Sequence, residues 1–124
     1  MHRSRLAGFI IDCKDAEPAP AAAFWGGALG MPSLGADGEA YERLDASARD
    51  LVIEVQKVAH ESRLHLDIES DDVDAEAARL EALGAKRVGK VRTWWVMEAP
   101  TGQRFCIVRA KTDLSKAAGA NTWP

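Results

Sequence analysis

The chain has 124 residues, enough for one domain with a real core and too few for two independent ones. Apolar residues make up 47% and charged residues 28%, a globular balance that excludes wholesale disorder. The net charge of −3, with Lys and Arg scattered between acids, excludes the basic face that a nucleic-acid backbone demands. No segment approaches the roughly 20 apolar residues of a membrane helix. The two cysteines, Cys13 and Cys106, lie in apolar runs and make no disulfide framework, and the opening MHRSRLAGFIID lacks a cleavage pattern. The expectation is a reduced, cytoplasmic protein with no nucleic-acid or membrane partner.

The first strand is read in Leu6 to Cys13, with Asp12 closing its apolar run. Pro18 and Pro20 mark a helix start, because proline is tolerated in a first turn, and Gly30 is its natural stop. The Gly26-Gly27 pair inside this helix points to close packing against a neighbour. Residues 31–50 are mixed, with a short strand around Tyr41 to Leu44. Asp50 to Lys57 alternates polar and apolar, which places Glu54 and Gln56 on one face.

RLHLDIES (63–70) alternates in the same way and puts His65, Asp67 and Glu69 on the face opposite Leu64, Leu66 and Ile68. Ser70, Asp71 and Asp72 are cap residues for a helix carrying Val73, Ala77 and Leu80 and ending at Leu83-Gly84. Val91 to Met97 reads as one strand, residues 98–102 as a turn and Gln103 to Arg109 as a final strand. Residues 111–124 read as a tail with a helical hint at Leu114 to Ala118.

The halves repeat. Strand, acid, helix and Leu-Gly occur as IIDCKD…FWGGALG and as LDIESDD…LEALG, each followed by further strands. Repetition of a βαβββ unit is the main architectural signal, and one such unit would leave an apolar sheet face uncovered.

AAAFWGGALGM, RLHLDIESDDVDAEAARLEALGAKRV and WWVMEAPTGQRFCIV, in that order, resemble the vicinal oxygen chelate superfamily of glyoxalase I, bleomycin-resistance proteins and extradiol dioxygenases. Ala99 stands where that ending usually has aspartate. The resemblance covers roughly residues 5–110. It implies an α+β fold of two βαβββ modules, about 5–58 and 63–110, forming a cupped mixed sheet around a cavity, and a homodimer. Metal-dependent members carry His or Gln, Glu, His and Glu on the first and fourth strands of the modules. Carried over, these positions fall on Gly8, Glu54, His65 and Cys106. Two depart from the pattern: glycine offers no side chain, and a thiol replaces a carboxylate. Zinc accepts Glu, His and Cys with a water at the fourth position, so Glu54, His65 and Cys106 form the candidate metal set, and no cofactor is fixed by it. Glyoxalase I chemistry and extradiol oxygen activation both need the missing ligands and are disfavoured.

For His65 three roles stay open: a hydrogen-bonded cavity wall, a general acid or base, and a metal ligand. Glu54 is either a catalytic base lifted by burial or half of a cross-strand ion pair. Cys106 is a small buried hydrophobe or a reactive thiol beside Arg104. Trp94 and Trp95, adjacent on a strand, must point to opposite faces, so one of them is a candidate wall for a flat ligand. Catalysis is thus expected from His65 and Glu54, and ligand contacts from Gln56, Trp94, Trp95, Arg104 and Cys106. The implied function is a glyoxalase-like small-molecule-binding protein, an enzyme of lyase or isomerase type transferring a proton. The alternative is a ligand-sequestering protein of the bleomycin-resistance type.

Overall fold

Residues 1–124 are described by a computed structural model in which Gly8–His65 forms one compact unit and Leu66–Pro124 joins Met1–Ala7 in a second. Two long strands, β1 (His2–Lys14) and β5 (Arg63–Ser70), each run from one unit into the other.

In the Gly8–His65 unit, β1 is followed by α1 (Pro18–Leu29), β2 (Ser33–Ala36), β3 (Tyr41–Leu44) and β4 (Val52–Val58). Pro18 opens α1, and Gly30 closes it in the left-handed region at φ 69°, its N–H donating to the Gly26 carbonyl. Gly26 is needed for space: a Cβ there would lie 2.7 Å from the Met31 carbonyl oxygen. α1 carries no charge, and it buries Ala22 and packs Trp25 against Ile11, Leu44, Ile53 and Val55. The strands run β2-β3-β4-β1, with β1 and β4 parallel and the other pairs antiparallel. Alternation then settles the faces. Phe9, Ile11 and Cys13 look toward α1, whereas Ile10, Asp12, Tyr41, Arg43, Glu54 and Gln56 look away from it.

The second unit continues β5 into α2 (Val73–Ala82), β6 (Lys86–Val91), β7 (Trp94–Glu98) and β8 (Arg104–Arg109). The Asp72 carboxylate accepts from the Ala75 N–H at 3.0 Å and caps α2. Val73 and Ala77 of this helix bury against Met97, Phe105 and Ile107. The strand order is β5-β8-β7-β6, with β5 and β8 parallel.

The expected single strand from Val91 to Met97 is two strands, because Arg92 turns the chain in the left-handed region at φ 53°. The chain past Ala110 is also more ordered than a tail. A turn of 3-10 helix at Leu114–Lys116 leads to β9 (Asn121–Trp123), which pairs antiparallel with β1 and draws that strand's start back to His2. Nine strands in a mixed sheet and two helices, in two successive βαβββ runs, make the fold α+β.

Candidate functional site

Two positions in register build the polar face of the Gly8–His65 unit. Ile10 of β1 and Arg43 of β3 flank Glu54 of β4, while Asp12 and Tyr41 flank Gln56. Asp12 is only 2% exposed, and its Oδ2 lies 2.8 Å from His65 Nδ1 and 3.8 Å from Arg63 Nε. Glu54 is 8% exposed, with Oε1 3.6 Å from Arg43 Nη2. Burial, reinforced by the neighbouring Asp37 carboxyl and opposed by Arg43, pushes the Glu54 carboxyl up to about 7. Three buried polar atoms on this face make no hydrogen bond: Asp12 Oδ1, Glu54 Oε2 and Arg43 Nε. Such groups cost stability, and functional sites are where proteins retain them.

Gly8 begins this face for a steric reason. It stands opposite Val52, and a Cβ on it would sit 1.8 Å from the Val52 carbonyl oxygen. No ligating side chain fits at that position.

In the second unit Asp67 of β5 stands opposite Cys106 of β8, and Val96 of β7 is the next neighbour on the same face. Trp94 shares that face by alternation. Trp95 points the other way, donating from Nε1 to Asp74 Oδ1 at 2.8 Å with the Arg87 guanidinium 4.6 Å from its ring. Arg104 Nε sits 3.4 Å from Glu98 Oε1. His65 and Asp67 are alternate residues of one strand, and the ligand atoms of His65, Asp67 and Cys106 lie within 4.8 Å of one another.

The expected set of Glu54, His65 and Cys106 is therefore redistributed. His65 and Cys106 gather with Asp67, whereas Glu54 gathers with Arg43 and Asp37. The nitrogen, oxygen and sulfur donors form a group capable of holding a metal ion. Gln56 is half-buried beside Asp12, and Trp94, not Trp95, is the tryptophan on the face carrying Cys106. Asp12, the buried partner of His65, was not singled out by sequence reasoning; its only signal was a carboxylate closing an apolar strand. Asp67 was visible on the His65 face of RLHLDIES.

Two βαβββ runs, each with polar side chains on the sheet face away from its helix, make a protein of glyoxalase-like fold. The chain matches the Glyoxalase-like domain over residues 8–108 and belongs to that family, within the vicinal oxygen chelate superfamily. Among solved structures it is similar to a hypothetical protein from Bacillus halodurans C-125, at 12% identity and TM-score 0.65 over 89% of this chain and 96% of that one. It is also similar to the Mn(II)-bound glyoxalase from Novosphingobium aromaticivorans, at 23% identity and TM-score 0.60 over 91% of this chain and 44% of that one. Homoprotocatechuate 2,3-dioxygenase from Brevibacterium fuscum, in complex with 3,4-dihydroxyphenylacetate, matches at 20% identity and TM-score 0.59 over 87% of this chain and 37% of that one. The chain thus spans less than half the length of the latter two, and at these identities the likeness is one of fold. No curated protein sequence matches it.

Proposed function

We propose that the chain is a glyoxalase-like enzyme that transfers a proton on a small metabolite, with His65 and Glu54 as its acid–base groups. The observation that carries this reading is the buried polar face on which Glu54 and the Asp12–His65 pair come together on neighbouring strands. A carboxyl held near 7 is half-ionised at neutral pH, so it can both take a proton and return it. Gln56 and Arg43 supply a donor each for orienting a polar ligand beside Glu54. Trp94 and Arg104 extend the contacts on the face of Cys106. Where His65, Asp67 and Cys106 hold the divalent ion that the family implies, zinc by their donor chemistry, the ion would supply Lewis-acid polarisation of a substrate oxygen and proton transfer would fall to Glu54 alone. A homodimer belongs to the same reading by family resemblance.

Incubating the protein with a panel of aldehydes, hydroxy-ketones and aromatic metabolites, followed by proton NMR for solvent deuterium exchange, tests the activity. The expected result is exchange at one carbon of a binding ligand, with a pH profile whose arm near 7 disappears in Glu54→Gln. Gly8, which removes a family ligand position, favours a second reading in which the protein sequesters a ligand without altering it. A ligand that raises the melting temperature and comes through unchanged, with no exchange, would establish that reading and refute the first. Elemental analysis of protein purified without chelator decides the metal, and size-exclusion chromatography with light scattering decides the dimer.

A further inference from the structure

We infer that Asp12 is the positioning residue of this site, holding the neutral His65 ring as its Nδ1–H tautomer so that Nε2 carries the lone pair. The inference rests on the proposed role of His65 for its importance, though not for its geometry. An ionised carboxylate can only accept hydrogen bonds, and Asp12 Oδ2 is 2.8 Å from His65 Nδ1. The nitrogen at that distance must therefore be the one bearing hydrogen. The Arg63 guanidinium also faces this oxygen, its Nε 3.8 Å away.

Chain architecture makes the arrangement rigid. Asp12 lies within β1, locked by the ladder to β4 through Ile11, Asp12 and Cys13, and is 2% exposed. His65 lies 53 residues further along, near the start of β5. Burying a carboxylate at this place is costly, and Asp12 Oδ1 makes no hydrogen bond to offset the cost. An apolar residue would stabilise the strand better. What the carboxylate alone provides is a defined histidine. In the imidazole ring, the hydrogen bond made by one nitrogen decides which form the other takes. With Nδ1–H committed to Asp12, Nε2 is the nitrogen that accepts a proton or donates its lone pair.

Long-range proton–nitrogen correlation spectra of uniformly 15N-labelled protein, at about pH 8 where histidine is largely neutral, read the tautomer directly. The three histidines are separated by comparison with His65→Gln. The expected wild-type pattern for His65 has Nδ1 at the protonated, pyrrole-like end of the imidazole range and Nε2 at the pyridine-like end. In Asp12→Ala the Nδ1 signal moves toward the averaged position of a free neutral imidazole. A pyridine-like Nδ1 in the wild type overturns the inference, and so does an unchanged His65 pattern in folded Asp12→Ala. The wild-type spectrum decides even if Asp12→Ala fails to fold. An Nδ1–H pattern in a protein that exchanges no ligand proton would refute the proposed enzyme and leave this assignment standing.

Discussion

Glu54 shows how one buried side chain sets a pH dependence. In the unfolded chain its carboxyl titrates at 4.5, whereas in the folded chain burial holds it near 7. The folded state therefore binds the extra proton between those values, and stability falls as pH rises through that window. The full effect above pH 7 is about 3 kcal/mol, since a tenfold change in proton affinity is worth roughly 1.4 kcal/mol. Glu54→Gln keeps the shape and removes the titration. It should stabilise the protein by about 2 kcal/mol or more at pH 8 relative to its effect at pH 4, read from urea unfolding. Equal effects at the two pH values would show that the carboxyl ionises normally. Such a trade, stability lost to keep an ionisable group buried, is the expected mark of a working site. Of the residues concerned, His65 and Glu54 could be picked out from strand alternation and family position. Asp12 could not, because what gives it meaning is a hydrogen bond to a residue 53 positions away. Gly8 looked like a missing ligand; its physical reason, the Val52 carbonyl, exists only once β1 and β4 are paired.

At the scale of elements, the helices were legible because their ends carry local chemistry. Pro18 and Gly30 bracket α1, and Asp72 starts α2 with a side-chain hydrogen bond to the Ala75 N–H. Asp72→Ala removes that acceptor and a negative charge from the positive end of the helix. It should cost about 1 kcal/mol, a loss of several degrees in thermal melting for a domain of this size. A change of less than a degree would mean that water caps the helix equally well. The strands were less legible. The turn between β6 and β7 runs through Arg92 at φ 53°, a conformation usually signalled by Gly, Asn or Asp, so Val91 to Met97 read as unbroken. β9 has three residues and too little pattern to announce itself; its pairing with β1 and the hydrogen bond from Trp123 Nε1 to Ser4 Oγ are long-range products of folding.

On the scale of the whole molecule, the repeat was visible in the two Leu-Gly helix ends, about 54 residues apart, but the allocation of Met1–Ala7 to the second unit was not. That allocation puts a second buried glutamate in play. Glu76 is 0% exposed, and its carboxylate lies 2.8 Å from His2 Nε2 and accepts from Arg79 Nε at 2.7 Å and Nη2 at 2.9 Å. Burial alone would raise its pKa; the hydrogen bonds from Arg79, Ser4 and His2 overcome that and bring it down to about 2. The sign is opposite to that of Glu54. Its stabilisation is fully present above the unfolded value of 4.5 and disappears as pH falls toward 2, again about 3 kcal/mol. Each unit thus has a titrating glutamate, and the two limbs meet near pH 4.5. The protein should be most stable there, losing stability in both directions, whereas most proteins are at their best between about pH 5 and 8. Hydrogen exchange measured across this range can read the limbs separately, using the Met97, Phe105 and Ile107 core for the acid side and the Ile53 and Val55 core for the neutral side. Glu76→Gln should flatten the first limb and Glu54→Gln the second. Stability that climbs steadily from pH 4.5 to 7 would overturn the assignment of Glu54 as a buried, proton-holding group, and with it the principal electrostatic support for its role in proton transfer.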